Sequence, residues 1–370
     1  MARKRVLHII DHLGIGGAQR GVLDIIQNQE EPGFHRLAVL RTDENEMSVD
    51  VPDVFQFQAR SAFDQRAFLW LLRKFREQQP SILHAHLFRA QVYSWALALV
   101  AGFRGPLVFH ERGNIYEVSA AQKTLIRLMA PRVDRVICVS EATKRKLAEC
   151  VPVLAAKTQV IYNGIDVDAI RARILNESQR AQLRANLGIS AGVTVLGFFG
   201  RLEWQKGIDE LISGLPEWPD SSKLLIVGRG SEESKHKAHV QSLGLENRVL
   251  FLGFRADAIE LMSICDLIVV PSRYEPFPRV VLEAFCAGTP VLAAAVDGIP
   301  ELIEDGVTGW LYEGGGQELA ASLVRVLAGP ERLANVSQTA ARHVQKYHVN
   351  RQLHELDETY QELLARREKP

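Results

Sequence analysis

Residues 267–284 read LIVVPSRYEPFPRVVLEA, and this stretch decides the class of fold. The four apolar residues at its start have the length and composition of a buried β-strand. Two prolines keep the following loop out of a helix, and a helix is expected directly after Pro278, a favoured start position. A strand, a loop and a helix in this order are typical of a parallel sheet covered by helices.

The same alternation runs along the whole chain in two sets, separated by the turn signal Asn163-Gly164. It predicts two α/β domains, residues 1–164 and 165–347, with a helix near 348–370 completing the first. The predicted strands are Val6–Ile10, Leu37–Leu40, Val54–Phe57, Ile82–Ala85, Leu107–His110, Arg135–Val139 and Gln159–Ile161, then Thr194–Phe199, Lys223–Val227, Val249–Leu252, Leu267–Val270 and Pro290–Ala293. Predicted helices include Ala18–Asn28, Gln65–Gln78, Gln91–Val100, Ala142–Glu149, a basic one over 123–135 and a polar one over 167–187.

Composition limits the class of protein. A length of 370 residues suits two domains. No apolar run approaches the roughly 18 residues of a membrane span, and the four cysteines form no CxxC pair, so we expect a reduced, cytoplasmic protein. Lys and Arg balance Asp and Glu at 44 each, and we expect no nucleic-acid partner. Residues 1–165 nevertheless hold 22 basic and 16 acidic residues. This asymmetry suggests different partners for the two halves, and chance is the alternative.

Glycines follow the first predicted strand at Gly14, Gly16 and Gly17. They would let a ligand approach the exposed N–H groups of the helix start. With Asp43 beyond the second strand they also suggest a dinucleotide-dependent oxidoreductase. The dinucleotide-binding fingerprint G-x-G-x-x-G has a third glycine, and Gln19 occupies its position here. This weakens the oxidoreductase alternative.

Two cations follow the first strand of the second domain. Gly200 carries no side chain, and Arg201 and Lys206 then offer a bidentate fork and a mobile point charge at one strand-to-helix junction. The pattern predicts a phosphate site. Two solvated surface charges are the alternative.

Two carboxylates, Glu275 and Glu283, belong to the loop and helix of the opening stretch. Paired carboxylates also occur in glycoside hydrolases. Here both lie in one loop–helix unit instead of flanking a groove, so binding of sugar hydroxyls fits better. The helix expected after Pro278 would expose backbone N–H groups at its N-terminus, and these can bind a phosphate.

Histidines end two predicted strands of the first domain. His110 could act as a general base or a hydrogen-bond partner, or be structural. His84 and His86 share one face of their strand, but no third metal ligand is evident. Asp166 and Asp168 have the spacing of a metal clamp, yet their place in the connector indicates turn and cap chemistry.

Together these stretches resemble glycosyltransferase family four, retaining enzymes of the GT-B fold, in which two Rossmann-like domains face each other across a cleft. The matching stretches are Gly16–Gln19, Val139–Ala142, Tyr162–Asp166, Gly200–Leu202, Lys206-Gly207, Val227–Gly230, Pro271–Ala284, Gly288–Val291 and Gly298–Ile303, with Gly306 and Gly309. The resemblance implies an N-terminal acceptor domain and a C-terminal nucleotide-sugar domain. Two positions depart from the pattern: Asp297 stands where a glycine is usual, and Arg229 where an acid often stands.

The resemblance also implies roles for single residues. Arg201 and Lys206 would hold the donor diphosphate, Glu283 the ribose and Glu275 a hydroxyl of the sugar. The other implied donor contacts are Gly16, Gly17, Gly200, Gly228, Arg229 and the backbone of Phe277 and Pro278, and His110 matches the family's active-site histidine. It implies no metal and no cofactor.

The predicted function is retaining transfer of a sugar from a UDP- or GDP-sugar to a lipid-linked or cell-surface glycan precursor, as in polysaccharide biosynthesis. A non-catalytic two-domain sugar-binding protein is a further alternative. Residues 60–146 hold 15 basic and 6 acidic residues, part of them on the amphipathic segment 66–76. This suggests peripheral contact with an anionic membrane, unless the apolar stripe packs on the domain's own sheet.

Overall fold

The computed structural model describes residues 5–14, 16–42, 51–61 and 63–368. Its contacts divide the chain into two compact units. The first holds residues up to Gly164 together with the last helix, and the second runs from Ile165 to His348. Each unit contains one parallel sheet with helices between its strands, so the prediction of two α/β domains is confirmed.

The first unit is built on a seven-stranded parallel sheet in the order β3-β2-β1-β4-β5-β6-β7. Its strands are β1 (Val6–Ile10), β2 (His35–Val39), β3 (Val54–Gln56), β4 (Ile82–His86), β5 (Leu107–Glu111), β6 (Arg135–Cys138) and β7 (Thr158–Val160). Its helices are α1 (Gly17–Gln27), α2 (Gln65–Gln78), α3 (Phe88–Val100), α4 (Ala120–Met129), α5 (Glu141–Cys150) and, from the end of the chain, α14 (Val349–Glu368).

The second unit is built on a six-stranded parallel sheet in the order β10-β9-β8-β11-β12-β13. Its strands are β8 (Thr194–Phe199), β9 (Ser222–Val227), β10 (Val249–Gly253), β11 (Leu267–Val270), β12 (Val291–Ala294) and β13 (Trp310–Tyr312). Its helices are α6 (Val167–Arg171), α7 (Glu177–Asn186), α8 (Ile208–Gly214), α9 (Glu233–Ser242), α10 (Ala258–Ser263), α11 (Arg279–Ala287), α12 (Gly316–Leu327) and α13 (Pro330–His343).

The helix α14 covers one face of the first sheet. Val6, Ile82 and Val108, from the amino-terminal ends of three neighbouring strands, pack with Leu356 and Tyr360 of this helix in one buried cluster. Side chains of a strand alternate between faces, so the next residues on the same face are those two positions further along. In these strands they are histidines, which makes the half of this face nearest the carboxyl ends polar and buried.

Two predicted helices differ from the structure, and one strand was not predicted. The polar helix over 167–187 is two helices, because Asn176 caps α7: its side chain accepts from the Gln179 N–H at 2.9 Å while the Gln179 side chain accepts from the Asn176 N–H at 3.0 Å. The basic helix over 123–135 ends at Met129, and Arg135 already pairs with Val108 in the sheet. The edge strand β13 was not predicted, because three residues give too short a pattern.

Candidate donor-binding site

The candidate donor residues lie where loops leave the carboxyl ends of β8, β9 and β11. Glycines let these loops approach each other. Gly228 has φ 142°, and a Cβ there would overlap the carbonyl oxygen of Gly200, while a Cβ on Gly207 would overlap that of Pro271. These glycines are therefore required by contacts between loops. The resemblance implied only a donor contact for Gly228 and no role for Gly207.

Lys206 and Glu275 form an ion pair across this edge, with Lys206 Nζ donating to Glu275 Oε2. The same carboxylate oxygen accepts from the Ser272 hydroxyl at 3.3 Å. Glu275 is only 8% exposed, so its carboxylate needs these partners. The structure thus joins the predicted phosphate cation to the predicted sugar-binding carboxylate.

Asp297 fixes the backbone of the same loop. Its carboxylate accepts from the Glu275 N–H at 2.9 Å, and the neighbouring Gly298 N–H donates to the Glu275 carbonyl at 3.1 Å. Asp297 has φ 45°, the left-handed conformation that favours glycine and that Asp tolerates better than most residues. At this position, where the family usually has glycine, the aspartate adopts the left-handed conformation and adds a hydrogen bond to the loop.

Arg201 and Arg229 are both exposed. No hydrogen bond or ion pair engages the Arg201 side chain among the described residues. Its neighbour Glu203 accepts from the backbone N–H and the hydroxyl of Ser231, which hold the pKa of Glu203 below its usual value. Arg201 is thus an exposed guanidinium at the strand end, whereas Lys206 is already engaged.

Glu283 lies on α11, half-buried, with Arg279 Nε 3.7 Å from its carboxylate. No hydrogen bond or ion pair joins Glu283 to Glu275 in the described chain. Pro278 is the N-cap of α11, as predicted, and the Phe277 ring packs 5.8 Å from the Tyr347 ring. The two carboxylates therefore have separate surroundings.

Arg273 belongs to the same loop but was not singled out from the sequence. Its guanidinium donates to Asp209 at 2.8 Å and to Glu210 at 2.9 Å, and it stacks 4.8 Å from the Trp204 ring. It thereby ties the loop after β11 to the segment that carries Lys206. The sequence feature that could have identified Arg273 is its position within residues 267–284, in the loop between the strand and the helix.

In the first unit, Gly16 is the N-cap of α1 and Gly17 its first residue. The side chain of Gln19 folds back over Gly16, into space that a side chain there would need. At the end of β1, the Asp11 carboxylate is held by Arg89 at 2.7 Å and by Arg41 at 3.3 Å. Asp43, on which the oxidoreductase alternative rests, lies outside the described residues.

His110 is completely buried at the end of β5. Neither ring nitrogen has a hydrogen-bond partner among the described residues. Burial, with the nearby Arg112 charge, lowers the pKa of His110 well below its usual value, so the ring is neutral. His84 and His86 do share one face, as predicted, with ring centroids 4.4 Å apart.

Two further predictions concern metals and membranes. Asp166 accepts from the Ala169 N–H at 2.9 Å and caps α6, as its place in the connector indicated. Contrary to the sequence analysis, a third possible metal ligand, His8, does lie beside His84 and His86. None of the helices within the described ranges is both long and apolar enough to cross a bilayer.

Two family models match the chain. The model for Glycosyltransferase Family 4 matches residues 15–169 and that for Glycosyl transferases group 1 matches residues 179–343. An uncharacterized glycosyltransferase of Methanocaldococcus jannaschii is 35% identical over 199 residues, 52% of this chain and 51% of that protein. The N-acetyl-alpha-D-glucosaminyl L-malate synthase of Bacillus anthracis is 27% identical over 81% of this chain and 78% of that protein.

Among solved structures, Anabaena HepE in complex with UDP and glucose is 27% identical, with a TM-score of 0.85 over 97% of this chain and 100% of that one. The chain spans about half the length of the M. jannaschii relative, and 42% of the D-inositol 3-phosphate glycosyltransferase of a Mycobacterium strain. The two family models cover consecutive stretches, one for each sheet. With the GT-B fold, they place this chain among the group 1 glycosyltransferases of the family 4 type.

Proposed function

We propose that this protein transfers a sugar from a UDP-sugar to an acceptor, with retention of the anomeric configuration. The observation that carries the proposal is the Lys206–Glu275 pair, held by Ser272 and Asp297 at the carboxyl edge of the second sheet. In parallel α/β sheets ligands bind at this edge. A cation and a carboxylate in contact can serve the diphosphate and the sugar hydroxyls of one donor.

The exposed Arg201 supplies a second cation whose guanidinium is not held by a carboxylate. Diphosphate is the leaving group of the reaction, and its charge grows in the transition state, where pre-placed donors stabilise it most. UDP is the favoured nucleotide because the 27% identical HepE was solved with UDP and with UDP-glucose. Retention rests on the family resemblance, and the anomer of the product, read by NMR, tests it.

A ligand series tests the donor. The protein is heated with UDP, GDP or ADP, and a ligand that binds only the folded state raises the melting temperature. We expect the largest shift with UDP. UDP-sugars are then incubated with candidate acceptors, and released UDP is measured. If no nucleotide raises the melting temperature, the sugar-binding protein is the favoured alternative. A change in nicotinamide absorbance would favour the oxidoreductase.

For the acceptor, we propose a lipid-linked glycan precursor reached at an anionic membrane surface. Helix α2 buries Ala67 and Leu71 in the core of its unit, but Leu69 is 63% exposed. Arg66 and Arg73 lie on the same helix with side chains 49% and 79% exposed. Part of the apolar stripe therefore packs on the sheet, and part remains available to a headgroup layer.

Flotation with vesicles of phosphatidylglycerol or phosphatidylcholine tests this surface. We expect binding to the anionic vesicles alone, weakened by salt because the attraction is electrostatic. Leu69→Ser should reduce it. Leu243→Ser, an exposed leucine of the second unit, is the matched control. Equal binding to both vesicle types, or none, would favour a soluble acceptor.

A further inference from the structure

Five histidines lie buried together in the first unit, on the sheet face that α14 covers. They come from four strands: His8 from β1, His35 from β2, His84 and His86 from β4, and His110 from β5. Each is at most 1% exposed. Buried polar groups are normally hydrogen-bonded, because leaving one unsatisfied is costly. The partners of these rings therefore determine their state.

The hydrogen bonds among them have one possible direction when the rings are neutral. Arg112 Nε donates to His86 Nδ1 at 3.3 Å, and a guanidinium can only donate. His86 must then carry its proton on Nε2 and donate to His8 Nδ1 at 2.9 Å. By the same logic His8 Nε2 donates to His35 Nδ1 at 2.9 Å. The remaining proton, on His35 Nε2, faces Asp357 Oδ1 of α14 at 3.5 Å.

The same histidines could be considered a metal site, because nitrogens of His8, His84 and His86 lie within 4.8 Å of one another. The hydrogen bonds argue against it. The lone pair of His86 faces Arg112, and that of His8 faces His86, so both would have to be released. A cation would then sit beside the Arg112 charge with no carboxylate in the group. In the described chain only His84 Nε2 of this trio has no hydrogen bond.

We propose that His86, His8 and His35 form a one-way imidazole chain that positions Arg112 at the carboxyl end of β5. Arg112 is 8% exposed and donates through Nη1 to Asn163 Oδ1 at 2.8 Å. The next residue, Gly164, donates its N–H to Gln352 of α14 at 2.9 Å. The imidazole chain and this second contact thus connect α14 to Arg112 and to the last residues before the second unit.

The imidazole chain matters for function because of where Arg112 lies. Arg112 follows His110 by two residues, at the edge of the sheet where α/β proteins bind ligands. The three histidines are buried and contact Arg112 directly or through one another, so they are positioning residues that act through Arg112. The inference requires no particular donor or acceptor.

The imidazole chain requires neutral rings, because a protonated ring cannot accept. The charged or titratable groups that face it are Arg112 after β5, His110 on β5, His84 on β4, and Asp357 and Tyr360 on α14. Burial first, and then neighbouring positive groups, lower the pKa of His8 and His86 well below the usual value. The imidazole chain should therefore keep its direction at neutral pH.

Nitrogen NMR of the full-length protein, labelled with ¹⁵N-histidine, reads each tautomer directly. We expect His86 and His8 to carry a proton on Nε2 alone, from pH 8 down to pH 6.5, because each accepts at Nδ1. Signals are assigned by single substitutions, and metal content is measured on the same sample. An Nδ1–H tautomer at His86 or His8, an imidazolium in this pH range, or a stoichiometric metal would overturn the proposal.

Two variants test the direction. Arg112→Gln can donate or accept, so part of the imidazole chain should reverse to Nδ1–H while the protein stays folded. His84→Asn removes a buried ring of the same cluster outside the imidazole chain and should leave the tautomers of His86 and His8 unchanged. Unchanged tautomers in Arg112→Gln would show that Arg112 does not set the direction.

Transfer kinetics test the positioning role. His86→Leu removes the acceptor for Arg112 and should lower kcat by up to about 100-fold, with the KM for the nucleotide sugar unchanged, because the charged side chains assigned to the donor lie in the second unit. His86→Asn keeps an acceptor near the Nδ1 position and should restore most of the rate. Equal losses in both variants, at equal melting temperatures, would contradict positioning through Arg112. If no transfer is found at all, the tautomer result still stands alone.

Discussion

At the scale of single residues, Lys206 and Arg201 differ in their surroundings although the sequence presents them together. Lys206 is held by the buried Glu275, and Arg201 is exposed with an unengaged guanidinium. We predict that Arg201→Ala or Lys206→Ala lowers turnover by about 100- to 1,000-fold, as expected for loss of one donor to a charged transition state.

The two variants should differ in stability. Lys206→Ala leaves the Glu275 carboxylate buried without its cation and should lower the free energy of unfolding as well, whereas Arg201→Ala should not. Lys235→Ala is the control, because this exposed lysine of α9 pairs with Glu232, the N-cap of the same helix, and is not one of the predicted site residues. Near-normal turnover in either test variant would disprove the diphosphate assignment.

Asp297 gives a second prediction at this scale. Asp297→Ala removes the acceptor of the Glu275 N–H and places alanine at φ 45°. We expect a loss of about 1–3 kcal/mol in the free energy of unfolding, measured with urea. Asp297→Asn retains an acceptor oxygen and should lose less. If the two variants unfold at the same urea concentration, the hydrogen bond to Glu275 has no net effect.

At the scale of elements, α14 completes a unit that begins more than 300 residues earlier in the chain. Leu356 and Tyr360 are at most 1% exposed and pack against the strands of the first sheet. Leu356→Ala should lower the free energy of unfolding by about 2–5 kcal/mol, the usual cost of a buried leucine. Leu243→Ala, at an exposed leucine, is the control, and thermal unfolding of both is the measurement.

At the scale of the whole molecule, the buried histidines make stability depend on pH. Burial lowers the pKa of His8, His84, His86 and His110 in the folded protein, while the unfolded chain takes up these protons below about pH 6.5. Stability is therefore full above pH 6.5 and falls as the pH drops. Each histidine contributes at most about 1.4 kcal/mol per pH unit.

Urea unfolding at a series of pH values between 7.5 and 5 measures this slope. We expect His84→Asn to reduce the slope of the free energy of unfolding against pH by the contribution of one histidine. His354→Gln changes an exposed side chain and should leave the slope unchanged. A flat profile down to pH 5 would mean that these rings are protonated or exposed in the folded protein.

The activity of the whole protein should not depend on a divalent metal. Asp166 serves as a helix cap, and cations with a helix N-terminus can neutralise a diphosphate instead. Full transfer in excess EDTA is the expected outcome. Loss of transfer that manganese or magnesium restores would contradict it.

The sequence by itself determined twelve of the thirteen described strands, the loop over 271–278 and the two sets of elements, because apolar period and turn residues are local properties. It also presented Lys206 and Glu275 as site residues through their places after strands. Local pattern did not separate α6 from α7 or reveal β13, since a cap and a three-residue edge strand give weak signals.

Only the tertiary structure decided which distant side chains meet. His8, His35, His86 and Asp357 come from widely separated parts of the chain, and the crossovers between parallel strands bring them side by side. Asp297 contacts the Glu275 backbone in the same way. Alternation along one strand indicates the face of a side chain, but strand order determines its neighbours, and strand order is a property of the folded sheet.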